Sequence, residues 1–273
     1  MGKAGGQPMA IKLIATDLDG TFLNAKREIP AENIKAAQEA AAKGVIFTIA
    51  TGRMYGSAKF YAEQVGVDVP IITYNGALVM TVEGRELSNS YLEAQEVIDT
   101  LRYAQGKGWL ILNYEDDQIY VPFYDDRVSG YEENARQKAH VVGWDGLYAH
   151  TKRVPKLLLI TSGVEETDAR AAEIRAALDN RVSATRSVDA YAEIVSPKAS
   201  KAIAIEALAR SYGISMDEVM VCGDSENDRS MLEAAGTAVV MGNAKPHIKA
   251  LATYVTGSCD EAGVAQAIRK FVL

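Results

Sequence analysis

The chain has 273 residues, 48% hydrophobic and 24% charged, with a formal net charge of −7 at pH 7. A chain of this length and apolar content buries a large core, as one big domain or two unequal ones. The acidic balance argues against nucleic acid or an anionic membrane surface as a partner, and no apolar stretch approaches the ~18 residues of a membrane span.

Residues 1–8, MGKAGGQP, carry no apolar h-region and read as a disordered leader before Met9. Residues 12–21, KLIATDLDGT, form an apolar run that breaks into Asp17, Asp19, Gly20 and Thr21. The run predicts a buried strand and the glycine a turn. Pro30 opens a helical stretch with Ile34, Ala37 and Ala41 on one face, and Gly44 closes it. Two further apolar runs follow. One, 45–49, ends in Thr51-Gly52-Arg53; the other, 70–74, ends in Asn75-Gly76. Between about 87 and 191 the aromatics concentrate, and the runs 110–114 and 118–122 predict an antiparallel hairpin across Glu115-Asp116-Asp117. A strand at 156–160, a helix near 165–178 and two short strands complete this α+β stretch. The strand–helix alternation then resumes: a helix over about 200–212, a strand at 218–222 ending in Gly223-Asp224, a short helix, a strand at 237–241, a Gly-Asn loop and a last helix over about 261–271. Such alternation predicts βαβ units and a parallel sheet, giving an α/β fold with an inserted α+β domain.

Four polar clusters each follow an apolar strand: Asp17/Asp19/Thr21, Thr51-Gly52-Arg53, Asn75, and Asp224 to Asp228. In an open parallel sheet, ligands bind at the carboxyl ends of the strands, so these clusters are expected to converge. Adjacent carboxylates repel and need a cation, a shared proton or a reaction to justify them. Taken singly, Thr51 is a helix cap, Asn75-Gly76 a turn favouring φ > 0, and Arg53 as much a surface ion pair as a substrate contact. Cys222 reads as a small buried side chain. Cys222 and Cys259 show no metal-like spacing, which suits a reducing cytoplasm. His140, His150 and His247 are assigned no role.

The order and spacing of these clusters resemble the haloacid dehalogenase (HAD) superfamily hydrolases, in particular the Cof-like phosphatases with a large α/β cap. The DxDx[TV] motif matches Asp17-Leu18-Asp19-Gly20-Thr21, and the Ser/Thr closing the next strand matches Thr51. The lysine at a helix start matches Lys201, and GDxxND matches Gly223-Asp224-Ser225-Glu226-Asn227-Asp228. Glycines often flank the family's lysine, whereas here the stretch reads SPKASKA. Lys198 lies three residues before Lys201, which is favoured because Ser200 supplies an N-cap.

The resemblance implies a Rossmann-like parallel-sheet core, 9–83 with 198–273, and an inserted α+β cap over 84–197. Hinges would fall near 81–84 and 196–199. It implies that Asp17 is the nucleophile and Asp19 the acid/base. Mg2+ would be held by Asp17, the Asp19 backbone carbonyl and Asp224, with Thr21 and Asp228 supporting. Leu18, Thr51, Gly52, Lys201 and Asn227 would bind phosphate, and Arg53 and Asn75 are possible substrate contacts. The implied activity is hydrolysis of small phosphorylated metabolites, sugar phosphates first, through an aspartyl-phosphate. A phosphotransferase or mutase using the same intermediate, and a phosphosugar-binding regulator with vestigial catalysis, are the alternatives; a dehalogenase fits Asp19 and Asp224 less well.

Overall fold

The structure, a computed structural model, describes residues 10–273 except 67, 69 and 136, so the expected leader lies outside the described residues. The chain divides into two compact units. Among the described residues, one comprises 10–50, 62–70 and 205–273, the other 51–61 and 71–204. The expected division at 83/84 and 197/198 followed chain connectivity. By compactness alone, 51–61, 71–83 and 198–204 group with the inserted stretch.

The first unit is built on five strands in the order Tyr254–Val255, Thr237–Val240, Val219–Gly223, Leu13–Thr16 and Ile46–Ala50. All neighbouring pairs are parallel, Leu13 lying opposite both Val219 and Ile46. Leu13–Thr16 is wholly buried, as a strand covered on both faces of a parallel sheet must be. It is the first strand in the chain but sits inside the sheet, between Val219–Gly223 and Ile46–Ala50. The connections leave its two sides in opposite directions, and such a switch point opens a crevice at the strand's carboxyl end. The helix Ala31–Ala42 follows Pro30 as expected. It is tied to the helix Gly263–Phe271 through the buried Asn33, whose amide donates to Phe22 O at 3.0 Å and accepts from Ala265 N at 2.9 Å. That last helix starts two residues later than expected. Cys259–Glu261 forms its own 3-10 turn, and Ala262 stands at φ +53 between them.

The second unit is an α+β body. Its six-stranded sheet runs Ser183–Val188, Tyr191–Val195, Lys156–Ile160, Ile111–Glu115, Gln118–Val121, Ala139–Val141, antiparallel except for the last pair. The expected hairpin is present. Glu115 lies opposite Gln118, and Asp116 and Asp117 between them have φ +50 and +59, the left-handed pair that a tight two-residue hairpin demands. Strand alternation sorts the unit into two cores. Ile111, Leu157, Leu159 and Ile194 pack with Val97 and Leu101 of the helix Ala94–Gly106 and Ile174 of Val164–Ala177. Leu110, Leu112, Tyr114, Leu158 and Ile160 face the other way, with Met54, Tyr74 and Leu78. The alternation puts Lys156 and Glu193 on this second face, both buried.

Three short antiparallel strands, Ile71–Thr73, Leu78–Met80 and Glu86–Asn89, belong to this unit, and the sequence reading anticipated only the first. That strand ends sooner than expected because Tyr74 and Asn75 turn left-handed, at φ +51 and +57. The helices Ala94–Gly106, Asp126–Ala135 and Gly143–Leu147 were also not anticipated. Among the described residues no helix is long and apolar enough to cross a membrane.

Candidate active site

In the first unit, the site starts where Leu13–Thr16 ends. Asp17 N–H still donates to Cys222 O of the neighbouring strand at 2.9 Å; beyond it the chain turns back. Thr21 and Leu23 N–H donate to Leu18 O, and Phe22 N–H donates to Asp17 O. Gly20 carries the turn at φ +75, a conformation that any side chain would strain. The turn separates the two aspartates by environment. Asp17 is 3% exposed and Leu18 is buried, whereas Asp19 stands in solvent.

The strand Val219–Gly223 delivers the second cluster. Asp228, fully buried, accepts the Asp224 and Ser225 N–H groups on one carboxylate oxygen, at 2.9 and 3.0 Å. Its carboxylate packs so close that a Cβ on Gly223 would lie 2.8 Å from Asp228 Oδ2. Asp228 thereby folds the loop on itself and aims Asp224. The Thr21 hydroxyl donates to Asp224 Oδ1 at 2.9 Å, and the Ser225 hydroxyl lies 2.6 Å from Asn227 Oδ1. Asn243 braces the turn from a third loop, donating to Gly20 O at 2.9 Å and accepting from Cys259 N at 3.0 Å. The sequence reading gave Asn243 no role, although it marked the Gly-Asn loop.

Asp17, Asp224 and Asp228 each offer one carboxylate oxygen, all within 4.8 Å of one another. Three such charges held together call for a cation. A donor set of oxygens alone, without imidazole or thiolate, fits a hard divalent ion. Cys222, next to this cluster in sequence, does not compete: burial, with Asp228 adding to it, pushes its thiol up to about 12. It is packing, as expected.

The remaining predicted residues lie in the second unit. Thr51, 1% exposed, accepts the Arg53 N–H on its hydroxyl at 3.2 Å. Three successive carbonyls of this turn are held from the same region. Asn75 N–H donates to Thr51 O, Lys156 Nζ to Gly52 O, and Tyr74 N–H to Arg53 O, each at 3.0 Å. The Asn75 side chain lies against Gly52, where a Cβ would come 3.0 Å from its Oδ1, and its amide donates to Glu193. Glu193 also takes Lys156 Nζ at 2.9 Å. Burial alone would lower the Lys156 ammonium, but the Glu193 carboxylate beside it holds it above its ordinary value. Neither Lys156 nor Glu193 was singled out from sequence.

Left-handed backbone at a residue as bulky as Tyr74 is a strained arrangement, costing on the order of 1–3 kcal/mol. Its surroundings hold it there: the phenol donates to Asp117 Oδ1 at 2.7 Å, and the other oxygen of Asp117 accepts Gly56 N–H at 2.8 Å. Gly76, at φ +97, sits against the helix that follows the inserted stretch. A Cβ there would lie 2.2 Å from Ser200 O and 3.0 Å from Lys201 N. Ser200 caps that helix, accepting Ile203 N–H at 3.0 Å, and Lys201 opens it with 1% exposure. Lys198, by contrast, is exposed. Arg53 is engaged locally, its guanidinium 3.1 Å from Ser57 Oγ and 5.1 Å above the Tyr61 ring.

A model of the haloacid dehalogenase-like hydrolase family matches residues 14–268. Phosphatase YwpJ of Bacillus subtilis is 30% identical over 284 residues, covering 95% of this chain and 99% of its own. The 5-amino-6-(5-phospho-D-ribitylamino)uracil phosphatase YcsE of the same organism is 32% identical over 266 residues, covering 96% of each. Among solved structures, the HAD subclass IIB sugar phosphatase BT4131 superposes with a TM-score of 0.82 at 27% identity, over 95% of this chain and 98% of that one. The chain belongs to the haloacid dehalogenase-like hydrolases, and within them to the phosphatases of the Cof-like branch.

Proposed function

We propose that this phosphatase is an Mg2+-dependent phosphomonoesterase acting on small phosphorylated metabolites, sugar or polyol phosphates first. The observation that carries the reading is the group of three carboxylates, Asp17, Asp224 and Asp228, at the carboxyl end of an interior parallel strand. The substrate class draws on similarity: YcsE acts on a phosphorylated ribityl compound and BT4131 is a sugar phosphatase. Cys222 and Cys259, both buried and free, favour a reducing cytoplasm.

In this reading an Asp17 oxygen attacks phosphorus, the bond to the leaving oxygen breaks, and Asp19 gives that alkoxide a proton. Water then attacks the aspartyl-phosphate, Asp19 takes its proton, and the bond between phosphorus and Asp17 breaks to release inorganic phosphate. The contrast in exposure supports the division of roles: a buried carboxylate is kept as a nucleophile, and a solvent-facing one exchanges protons readily. Mg2+, bound by Asp17, the Asp19 carbonyl and Asp224, would neutralise part of the charge between phosphate and carboxylates. Asp228 and Thr21 orient Asp224. Thr51, Gly52, Lys201, Asn227 and the Leu18 backbone bind the phosphoryl oxygens, and Asn75 and Arg53 are candidate contacts to the rest of the substrate. We keep 9–83 with 198–273 as the catalytic core of this scheme and 84–197 as its cap.

The test is a panel of phosphorylated metabolites assayed for phosphate release with and without Mg2+. Release matched to substrate loss and dependent on Mg2+ is expected. Loss of substrate without free phosphate would point instead to transfer onto a second alcohol.

A further inference from the structure

The buried ion pair of the second unit has a consequence beyond its own stability. Lys156 is 2% exposed and Glu193 is 6% exposed, on a sheet face otherwise made of Leu112, Tyr114, Leu158 and Ile160. An apolar pair of similar volume would suit this environment at least as well, because desolvating two charges offsets most of their attraction. The pair therefore calls for an explanation in what it touches. Lys156 Nζ reaches past its partner to Gly52 O at 3.0 Å. Glu193 uses its other oxygen for the Asn75 amide, and Asn75 N–H in turn holds Thr51 O at 3.0 Å. Two neighbouring peptide planes are thus fixed by the two ends of one ion pair. In a trans peptide the N–H points opposite to the C=O, so the Asn75 bond to Thr51 O aims the Gly52 N–H the other way.

We propose that Lys156 and Glu193 are positioning residues for the Thr51–Gly52 turn, holding its backbone in the orientation in which it binds a phosphoryl group. This rests on the phosphate-binding role given above to Thr51 and Gly52. The strut acts through Gly52 and Asn75 and is not itself in the reaction. Its charge is what matters: an ammonium can donate to a carbonyl and a carboxylate together, and a carboxylate can accept from Lys156 and Asn75 together.

The experiment compares the native chain with E193Q, the neutral double variant K156M/E193Q, and T51A. Each is assayed for Mg2+-dependent hydrolysis of p-nitrophenyl phosphate, for the Mg2+ activation constant and for thermal unfolding. K156M/E193Q removes both buried charges and is expected to melt near the native temperature. Its kcat/KM should nonetheless fall on the order of 100-fold, the usual cost of a small misplacement of a binding group. The Mg2+ activation constant should not move, because the aspartate cluster is untouched. E193Q leaves the buried Lys156 ammonium without its counter-charge, so it is expected to melt well below the native temperature as well as to lose kcat/KM, which is why the neutral double variant is the one that isolates the effect on the turn. Native kcat/KM in either folded variant, with T51A inactive, overturns the strut and leaves the reading of the turn standing. Full activity in T51A removes the role of the turn, and the strut's role with it.

Discussion

Thr21 and Asp224 lie 203 residues apart in the chain, yet the Thr21 hydroxyl donates to Asp224 Oδ1 at 2.9 Å. One strand end therefore orients the carboxylate supplied by another. Asp228 does the same from below, through the Asp224 and Ser225 N–H groups. Together these bonds hold Asp224, whose carboxylate lies within 4.8 Å of those of Asp17 and Asp228.

Removing the Thr21 hydroxyl should be read in the metal rather than in the fold. Thr21→Val is expected to weaken Mg2+ activation by about 10–100-fold, the usual cost of losing a hydrogen bond that orients a ligand. Thr21→Ser should restore it. An unchanged Mg2+ titration by calorimetry would show that Asp224 needs no such support.

Asp17→Asn and Asp19→Asn should separate by kind of defect. Asp17→Asn is expected to abolish turnover with thermal unfolding unchanged, since no nucleophile remains. Asp19→Asn should leave a residue of activity, about 10²–10⁴-fold below native, the range of a lost proton donor. Near-native steady-state turnover by Asp17→Asn would refute the nucleophile assignment.

Two glycines with left-handed backbone offer a matched test of close packing. A methyl added at Gly44, at φ +82, would meet nothing within 4 Å among the described residues, so Gly44→Ala should cost only the conformational term, about 1–2 kcal/mol. Gly76, at φ +97, would drive the same methyl into Ser200 O. Gly76→Ala is expected to cost at least about 4 kcal/mol and to depress activity by shifting the helix start at Lys201. Equal losses in urea unfolding would mean that the Ser200 backbone yields freely.

The alkaline limb of stability should report the buried phenols. Burial, with Asp117 for Tyr74 and Tyr131 for Tyr114, raises both phenols well above their ordinary value, and burial raises Tyr131 as well. In the unfolded chain they ionise near pH ~10. Their contribution is therefore complete below that pH and is lost as the pH climbs from there toward their native values. Of the 13 tyrosines, these three should ionise only as the chain unfolds, visible as absorbance at 295 nm rising with the loss of circular dichroism. Normal ionisation of all 13 in the folded protein would contradict this.

Local signals explain what could be read in advance. The alternation of apolar runs and helical stretches pointed to the parallel strands, because a buried strand in such a sheet is a continuous apolar run. The Asp116-Asp117 turn and the left-handed Asn75 follow from backbone preferences carried by the residues themselves. Boundaries slipped where a turn overrode an apolar pattern: Tyr74 is apolar enough for a strand but turns left-handed, held by Asp117 from a distant hairpin. Glu86–Asn89, polar and largely exposed, escaped because it is formed by its pairing rather than by its composition, and Leu78–Met80, though apolar, is only three residues long.

The places of Asp17 and Asp224 at the ends of apolar runs, and of Lys201 after the capping Ser200, are marked locally by glycine, serine and the end of an apolar run, whereas the roles proposed for them come from the family resemblance. The burial of Asp17 against the exposure of Asp19, and the grip of Asn243 on Gly20, were decided only by folding. So was the pairing of Lys156 with Glu193. A lysine ahead of an apolar strand and a glutamate inside another look like ordinary surface charges in sequence. Only the register of Lys156–Ile160 against Tyr191–Val195 turns both inward, onto the same face and within 2.9 Å.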